Sequence, residues 1–346
     1  MRPGRLGKGG AIAAALRFRA PLAGAMAMAL VLGTGQRTAL AAEEPPVADR
    51  IVAAFDKVFK GPHAGERAIH AKGVVSLGTF APDPGAASLT AAAHFSHSDT
   101  VPVIVRFSAF SGVPTQIDGK PGTNPTGMAV KFLLPDGTDA DIVAHSYDGF
   151  PAATPEEFLA YLGMIAAGDP QRREAFLAEH EAARRFFADP KPTPVSYGTE
   201  AFFAVHAFRF TNAAAISRFG RYRIRPLAGE RHLTAAEAAN IAPEYLHDEL
   251  VKRLDGGPVK YRVSVQLASV GDSVTDPGLP WPSDRAEVVL GTLTLTRVAD
   301  PKDAALQTVF FTPMNLVAGI SASGDPLLAA RTRAYALSYQ RRAASE

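Results

Sequence analysis

Apolar positions recur at helical spacing near the start of the chain, at Ile51, Phe55 and Phe59, and predict a helix over residues 47–59. Residues 61–73 read as a loop or turn running into a strand over 72–82. A stronger strand signal, "TVPVIVRFSAF", covers 100–110, and residues 125–145 read as a hairpin turning at Pro135, Asp136 and Gly137. The pattern turns helical at 154–168. There Thr154 can cap, Pro155 suits the first helical position, and Glu156 and Glu157 complement the helix dipole. A second helix is predicted over 169–189. Five strand candidates follow, at 201–212, 217–229, 258–269, 286–298 and 305–313, separated by turn-rich loops. Residues 325–342 close the pattern as a helix. Many strands, with helices inserted among them or set at the ends, predict an α+β chain: an antiparallel barrel or sandwich carrying helices.

Hydrophobic residues make up 47% of the 346 and charged residues 20%, the balance of a globular protein with a sizeable core. A formal net charge of +2 gives no case for nucleic acid as a partner. Part of the basic excess, at Arg2, Arg5, Lys8, Arg17 and Arg19, precedes an apolar run from Pro21 to Gly33 and the small-residue stretch Ala39-Leu40-Ala41. That order reads as a secretory signal peptide over residues 1–41, with an uncleaved anchor as the alternative. The expectation is export to the periplasm, no membrane contact after cleavage, and residues 42–346 as a single domain. The absence of cysteine excludes a thiol nucleophile, thiolate metal ligands, an iron–sulfur cluster, covalent c-type haem and disulfide support.

Phosphate-loop, zinc-protease and serine-hydrolase signatures are missing, and nine histidines are scattered without metal-ligand spacing. Three short pieces remain. "ERAIHAKG" carries Arg67 and His70; "VIVRFSAF" carries Arg106 and Ser108, two apart and so on one strand face; "AARTRAYALSYQRR" carries Arg331 and Tyr335, four apart and so on one helix face. Taken singly, each reads as ordinary surface or packing chemistry.

Taken together and in order, they resemble the haem catalases, and specifically the small catalase-related peroxidases. "ERAIHAKG" is similar to the family's distal-histidine segment and "PVIVRFSAFSG" to the Arg-Phe-Ser strand that follows it. "NPTGMAVKF" resembles the family's R-D-x-R-G-F-A-V-K-F without both arginines, and "VHAFRFTN" its proximal-side strand. "GDPLLAARTRAY" matches the spacing of its S-P-D-x-x-L-x-x-R-x-x-x-Y.

The resemblance implies an antiparallel β-barrel core with inserted and flanking helices, binding one haem b. It implies Tyr335 as the iron ligand, with Arg331 one turn earlier donating to its oxygen. His70 becomes the acid/base on the opposite face, with Ser108 fixing its tautomer. Arg67, Arg106 and Arg342 become partners of the haem propionates. His206 stands either among the ligand's hydrogen-bond surroundings or as a satisfied core histidine. Where larger catalases carry distal asparagines, this chain reads "ADIVAHSYDGFP", with His145 and Ser146 in their place. The chain also stops soon after Tyr335, without the C-terminal regions of larger catalases. Both departures imply a peroxidase that reduces hydrogen peroxide or organic peroxides with a small-molecule electron donor, and weak catalase activity at most. The rivals are a small true catalase, a hydroperoxide-rearranging haem enzyme, a periplasmic haem-binding protein and a lipocalin-like barrel for apolar ligands. The donor and the oligomeric state are not legible.

Overall fold

The computed structural model describes residues 44–120 and 122–344; the signal-peptide reading of residues 1–41 lies outside them. The chain enters through α1 (Val47–Phe59) and β1 (Gly73–Pro82), then a single helical turn, α2 (Ala93–Ser96), and three strands: β2 (Val101–Ser108), β3 (Gly127–Leu133) and β4 (Asp139–His145). Three helices follow, α3 (Pro155–Ala167), α4 (Pro170–Glu179) and α5 (Glu181–Ala188), before β5 (Phe202–Phe203), β6 (Phe208–Thr211) and β7 (Ser217–Pro226). The remainder runs α6 (Ala235–Ala238), α7 (Tyr245–Gly256), β8 (Val259–Leu267), β9 (Glu287–Val298), α8 (Ala304–Gln307), β10 (Ile320–Ala322) and α9 (Pro326–Ala343).

The strands run in the order β7-β5-β4-β3-β2-β1-β9-β8, and β8 pairs back onto β7, which closes eight antiparallel strands into a barrel. Strands β6 and β10 extend β7 beside it. Closure leaves the eight strands no free sheet edge to pair with another chain. Alternation does the rest. Val101, Val103, Val105 and Phe107 of β2, Met128, Val130 and Phe132 of β3, and Ala140, Ile142 and Ala144 of β4 fill the interior. Arg106, Ser108, Gly127, Ala129, Lys131, Val143 and His145 alternate with them and therefore face outward. A second apolar cluster lies outside the barrel, where Ile51 and Phe55 of α1 meet Phe158, Tyr161, Phe186 and Leu327 from the later helices.

Three departures from the sequence reading have local causes. The helix expected over 169–189 breaks at His180, whose ring stacks on Phe176 with centroids 3.9 Å apart and whose Nδ1 lies 2.9 Å from the Phe176 carbonyl oxygen. The strand expected over 201–212 is interrupted between Phe203 and Phe208, where His206 turns to another partner. The strand expected over 305–313 does not form: α8 takes its start, and the carbonyls of Thr308 and Val309 accept from arginine side chains instead of a neighbouring strand. Helix α7 and strand β10 were not expected; α7 buries Leu246, Leu250 and Leu254 at helical spacing.

Candidate functional site

Ser108 on β2 stands opposite Gly127 on β3, and Gly127 opposite His145 on β4. Opposed residues of antiparallel strands share a face, so these three form one row on the barrel's outer wall. His70, in the loop before β1, lies against that row. Its backbone takes the left-handed conformation, φ 60°, which a non-glycine residue adopts only when its surroundings hold it there. The Ser108 hydroxyl lies 3.0 Å from His70 Nδ1, and Phe110 meets the imidazole edge-on with centroids 5.5 Å apart. Burial, then the charges of Arg106 and Arg331, push the His70 pKa down to about 3, so the ring is neutral across the physiological range.

Helix α9 contributes to the same pocket as His70 through Tyr335, Ser338 and Arg342. Asp325 caps the helix, its carboxylate accepting from the backbone N–H of Leu327 at 2.8 Å and of Leu328 at 3.1 Å. Its other oxygen lies 2.6 Å from His206 Nδ1, so one buried carboxylate ties the interrupted strand to the helix start. In the second turn of α9, Arg331 donates to the Tyr335 hydroxyl oxygen at 2.5 Å, with its guanidinium 5.1 Å from the ring centroid.

A third group closes one end. Arg67 donates to the Val309 carbonyl at 3.0 Å, Arg106 to the Ala71 carbonyl at 2.8 Å and Arg342 to the Thr308 carbonyl at 3.1 Å. Arg106 and Arg342 are buried. Burial first, then the neighbouring guanidinium of Arg106, lowers the Arg67 pKa, and burial brings Arg106 down to about 10. Three neighbouring cations, two of them buried, favour an anionic ligand among them.

His70, Ser108, Arg67, Arg106, Tyr335 and Arg342 all line one pocket with about 810 Å³ of atom-free space, part of it open to solvent. Its walls are otherwise apolar: Val52 and Phe55 from α1, Ala129 and Val143 from the barrel, and Phe310 and Phe311 from the segment after α8. His206, Arg331 and His145 stand outside its lining. His206 is buried, its pKa pushed down to about 4 by burial although Asp325 opposes the shift, and its Nε2 has no partner among the described residues. His145 Nδ1 accepts from the Tyr147 backbone N–H at 3.3 Å, and its Nε2 likewise has no partner among the described residues. Burial and the charge of Arg331 push its pKa down to about 3. Ser146 is engaged elsewhere: its hydroxyl oxygen accepts from the Thr126 backbone N–H at 2.9 Å.

Sequence reasoning missed Gly127, Asp325 and Phe110. Asp325 sat inside a quoted motif and signals itself as an Asp-Pro helix start. Gly127 carries no such signal, because its role is the space that it leaves.

The catalase family model matches residues 49–346. The chain belongs to the catalase family. Among its relatives it is 39% identical over 287 residues to a catalase-related peroxidase of Mycolicibacterium paratuberculosis, covering 82% of this chain and 90% of that one. It is 33% identical over 303 residues to a catalase-related peroxidase of Synechococcus elongatus, covering 85% and 88%. Its structure is similar to that of a fungal catalase, with a TM-score of 0.72 at 22% identity, covering 82% of this chain and 60% of the other. Catalase A from Saccharomyces cerevisiae gives 0.71 at 23%, covering 82% and 62%. At that identity the two structures speak for the fold.

Catalase-family membership implies haem, and the residues of this catalase-family chain fit it. The pocket is walled mainly by apolar side chains, and the Tyr335 phenol and the His70 imidazole both line it. The arginine group suits the carboxylates of such a ligand.

Proposed function

We propose that the chain is a haem b-dependent peroxidase that reduces hydrogen peroxide or an organic peroxide at the expense of an external electron donor, with weak catalase activity at most. The observation that carries this reading is that Tyr335, with Arg331 donating to its oxygen, and His70, with Ser108 on its Nδ1, line the same pocket.

Haem bound there supplies the redox-active iron at which a peroxide is reduced. Tyr335 offers it an oxygen ligand, and the charge-assisted hydrogen bond from Arg331 supports negative charge on that oxygen. Arg67, Arg106 and Arg342 bind its propionates. The Ser108 hydroxyl, accepting from His70 Nδ1–H, leaves the Nε2 lone pair free toward the pocket. His70 then takes the proton from one peroxide oxygen and delivers it to the oxygen that leaves. The depressed pKa keeps the imidazole in the neutral form that this role requires. The Ser108–His70 bond fixes the tautomer and the ring's aim.

The preference for peroxidase over oxygen-evolving turnover is supported by the place of the distal asparagines. Ser146 is committed to the Thr126 backbone, and His145 stands outside the pocket lining. Neither holds a second peroxide as an amide would. We also infer export to the periplasm, on the signal-peptide reading of residues 1–41; the intact mass of the exported chain, expected to begin at Ala42, tests it. The function is tested by the absorption spectrum of haem-loaded protein before and after peroxide, together with oxygen release and donor oxidation on one panel of peroxides. A spectrum indifferent to every peroxide would refute the enzyme reading and favour a haem carrier.

A further inference from the structure

Beside the haem pocket lies a second cavity, between the end of α1, the loop 61–68 and the last turns of α9, with about 920 Å³ of atom-free space partly open to solvent. Phe55, Arg67, Ala68 and Ser338 line both cavities, so a single layer of side chains separates them. One wall of the second cavity is aromatic: Phe55 and Phe59 stack with centroids 6.2 Å apart and planes inclined at 23°. Its charged groups are unevenly satisfied. Asp56 accepts from Arg341 at 2.8 Å, and the His63 ring bonds the Phe59 carbonyl at 3.1 Å. The Glu66 carboxylate faces the same cavity within electrostatic range of Arg67 and makes no hydrogen bond or ion-pair contact among the described residues.

We propose that this second cavity binds the external electron donor, and that the donor is a neutral phenol or aromatic amine. Its ring lies against Phe55 and Phe59, and its O–H or N–H donates to the Glu66 carboxylate. The inference rests on the peroxidase reading above. An electron donor needs closeness to the redox centre, not contact with the peroxide. A site one side chain from the haem pocket, on the far side of a propionate-binding arginine, meets that need while leaving the His70 face to the peroxide. The carboxylate also discriminates against anionic reductants.

The chemistry balances with the peroxide as oxidant. Two phenols and one hydroperoxide give two phenoxyl radicals, one alcohol and one water. Each phenol loses an electron across the shared wall and its hydroxyl proton to Glu66, which releases it to solvent. The peroxide O–O bond breaks, and the two protons and two electrons end on its oxygens.

Ala64 lines the second cavity, is exposed and does not line the first, so Ala64→Phe fills the site from a position outside the peroxide machinery. The experiment measures 4-methylphenol binding to the haem-loaded protein without peroxide, by saturation-transfer NMR or calorimetry, beside steady-state kinetics. Ala64→Phe is expected to weaken phenol binding and raise the phenol KM about tenfold, the effect of one lost contact, with the peroxide KM unchanged. Glu66→Gln is expected to lower phenol turnover while peroxide still changes the haem spectrum at the wild-type rate. Wild-type phenol affinity in a folded Ala64→Phe protein overturns the site. Phenol binding that Ala64→Phe abolishes, in a wild type that never oxidises phenol, upholds the site and overturns the peroxidase reading.

Discussion

A Cβ added to Gly127 would stand 2.8 Å from both Cε1 and Nδ1 of His70, and 2.6 Å from the Ser108 hydroxyl oxygen. The strand position opposite Ser108 is thus kept free of a side chain where the imidazole approaches the barrel wall. Gly127→Ala is expected to dislodge the ring and break its bond to Ser108. Overpacking of this kind costs about 1–3 kcal/mol. Haem content should persist while reaction with peroxide slows by about tenfold or more, part of what general acid–base catalysis contributes. Peroxide kinetics at wild-type speed would show that Gly127 does not hold His70 in place.

Tyr335→Phe keeps the ring and removes only the oxygen. The expected outcome is poor haem retention and loss of the ligand's absorption signature, with the barrel intact by circular dichroism. Arg331→Ala, which removes the donor to that oxygen, is expected to keep haem but lower activity. Full haem content and an unchanged spectrum in Tyr335→Phe would refute the ligand assignment.

His70→Ala is expected to bind haem normally and react with peroxide about 10²–10⁴-fold more slowly. Because burial lowers the pKa of His70 from 6.5 to about 3, its proton-accepting form persists as pH falls through 6.5. The rate of reaction with peroxide should therefore stay level through that value and fall only near 3. A limb centred at 6.5, or a loss below about tenfold in the variant, would place the proton transfer on another group.

His145→Asn puts an amide in the row beside Gly127, on the face His70 occupies. It is expected to raise oxygen evolution relative to donor-dependent turnover. Ser146→Ala, which removes only a bond to the Thr126 backbone, should leave that ratio unchanged. If the wild type already evolves oxygen vigorously and His145→Asn leaves the ratio unchanged, the account of the missing amide is wrong.

Four histidines with lowered pKa values, His94 and His206 among the buried residues, make the fold sensitive to acid. His70, His94 and His145 are pushed down to about 3 and His206 to about 4, all from 6.5. Below pH 6.5 the unfolded chain takes up protons that the folded chain refuses, so stability present above 6.5 is lost as pH falls toward 3. Asp118, Asp141, Asp148 and Glu200, raised by burial, act in the opposite sense, whereas Asp49, Asp136, Glu237, Asp272 and Glu287 are lowered and act with the histidines. The melting temperature of the apoprotein is expected to drop between pH 6.5 and about 4. A flat or rising profile over that range would contradict it.

The sequence by itself determined the barrel strands, because alternation of Val103, Val105 and Phe107 with Ile104, Arg106 and Ser108 is a local pattern with a local physical meaning. It also determined the terminal helix and the pairing of Arg331 with Tyr335, since a four-residue spacing fixes a shared helix face. Closure of the barrel was not written locally. It depends on β8 meeting β7 after a long connection, and alternation alone serves a sandwich equally well. Nor could spacing tell His145 from Ser146: only the pairing of β4 with β3 assigns one to the row beside His70, and only the loop at Thr126 engages the other. The segment 305–313 looks like a strand because its composition is strand-like. Tertiary structure overrules it by bringing Arg67 and Arg342, distant in sequence, to the carbonyls a neighbouring strand would have used. Gly127 is the limiting case. Its function is an absent side chain, and that has meaning only once His70 has been folded against it.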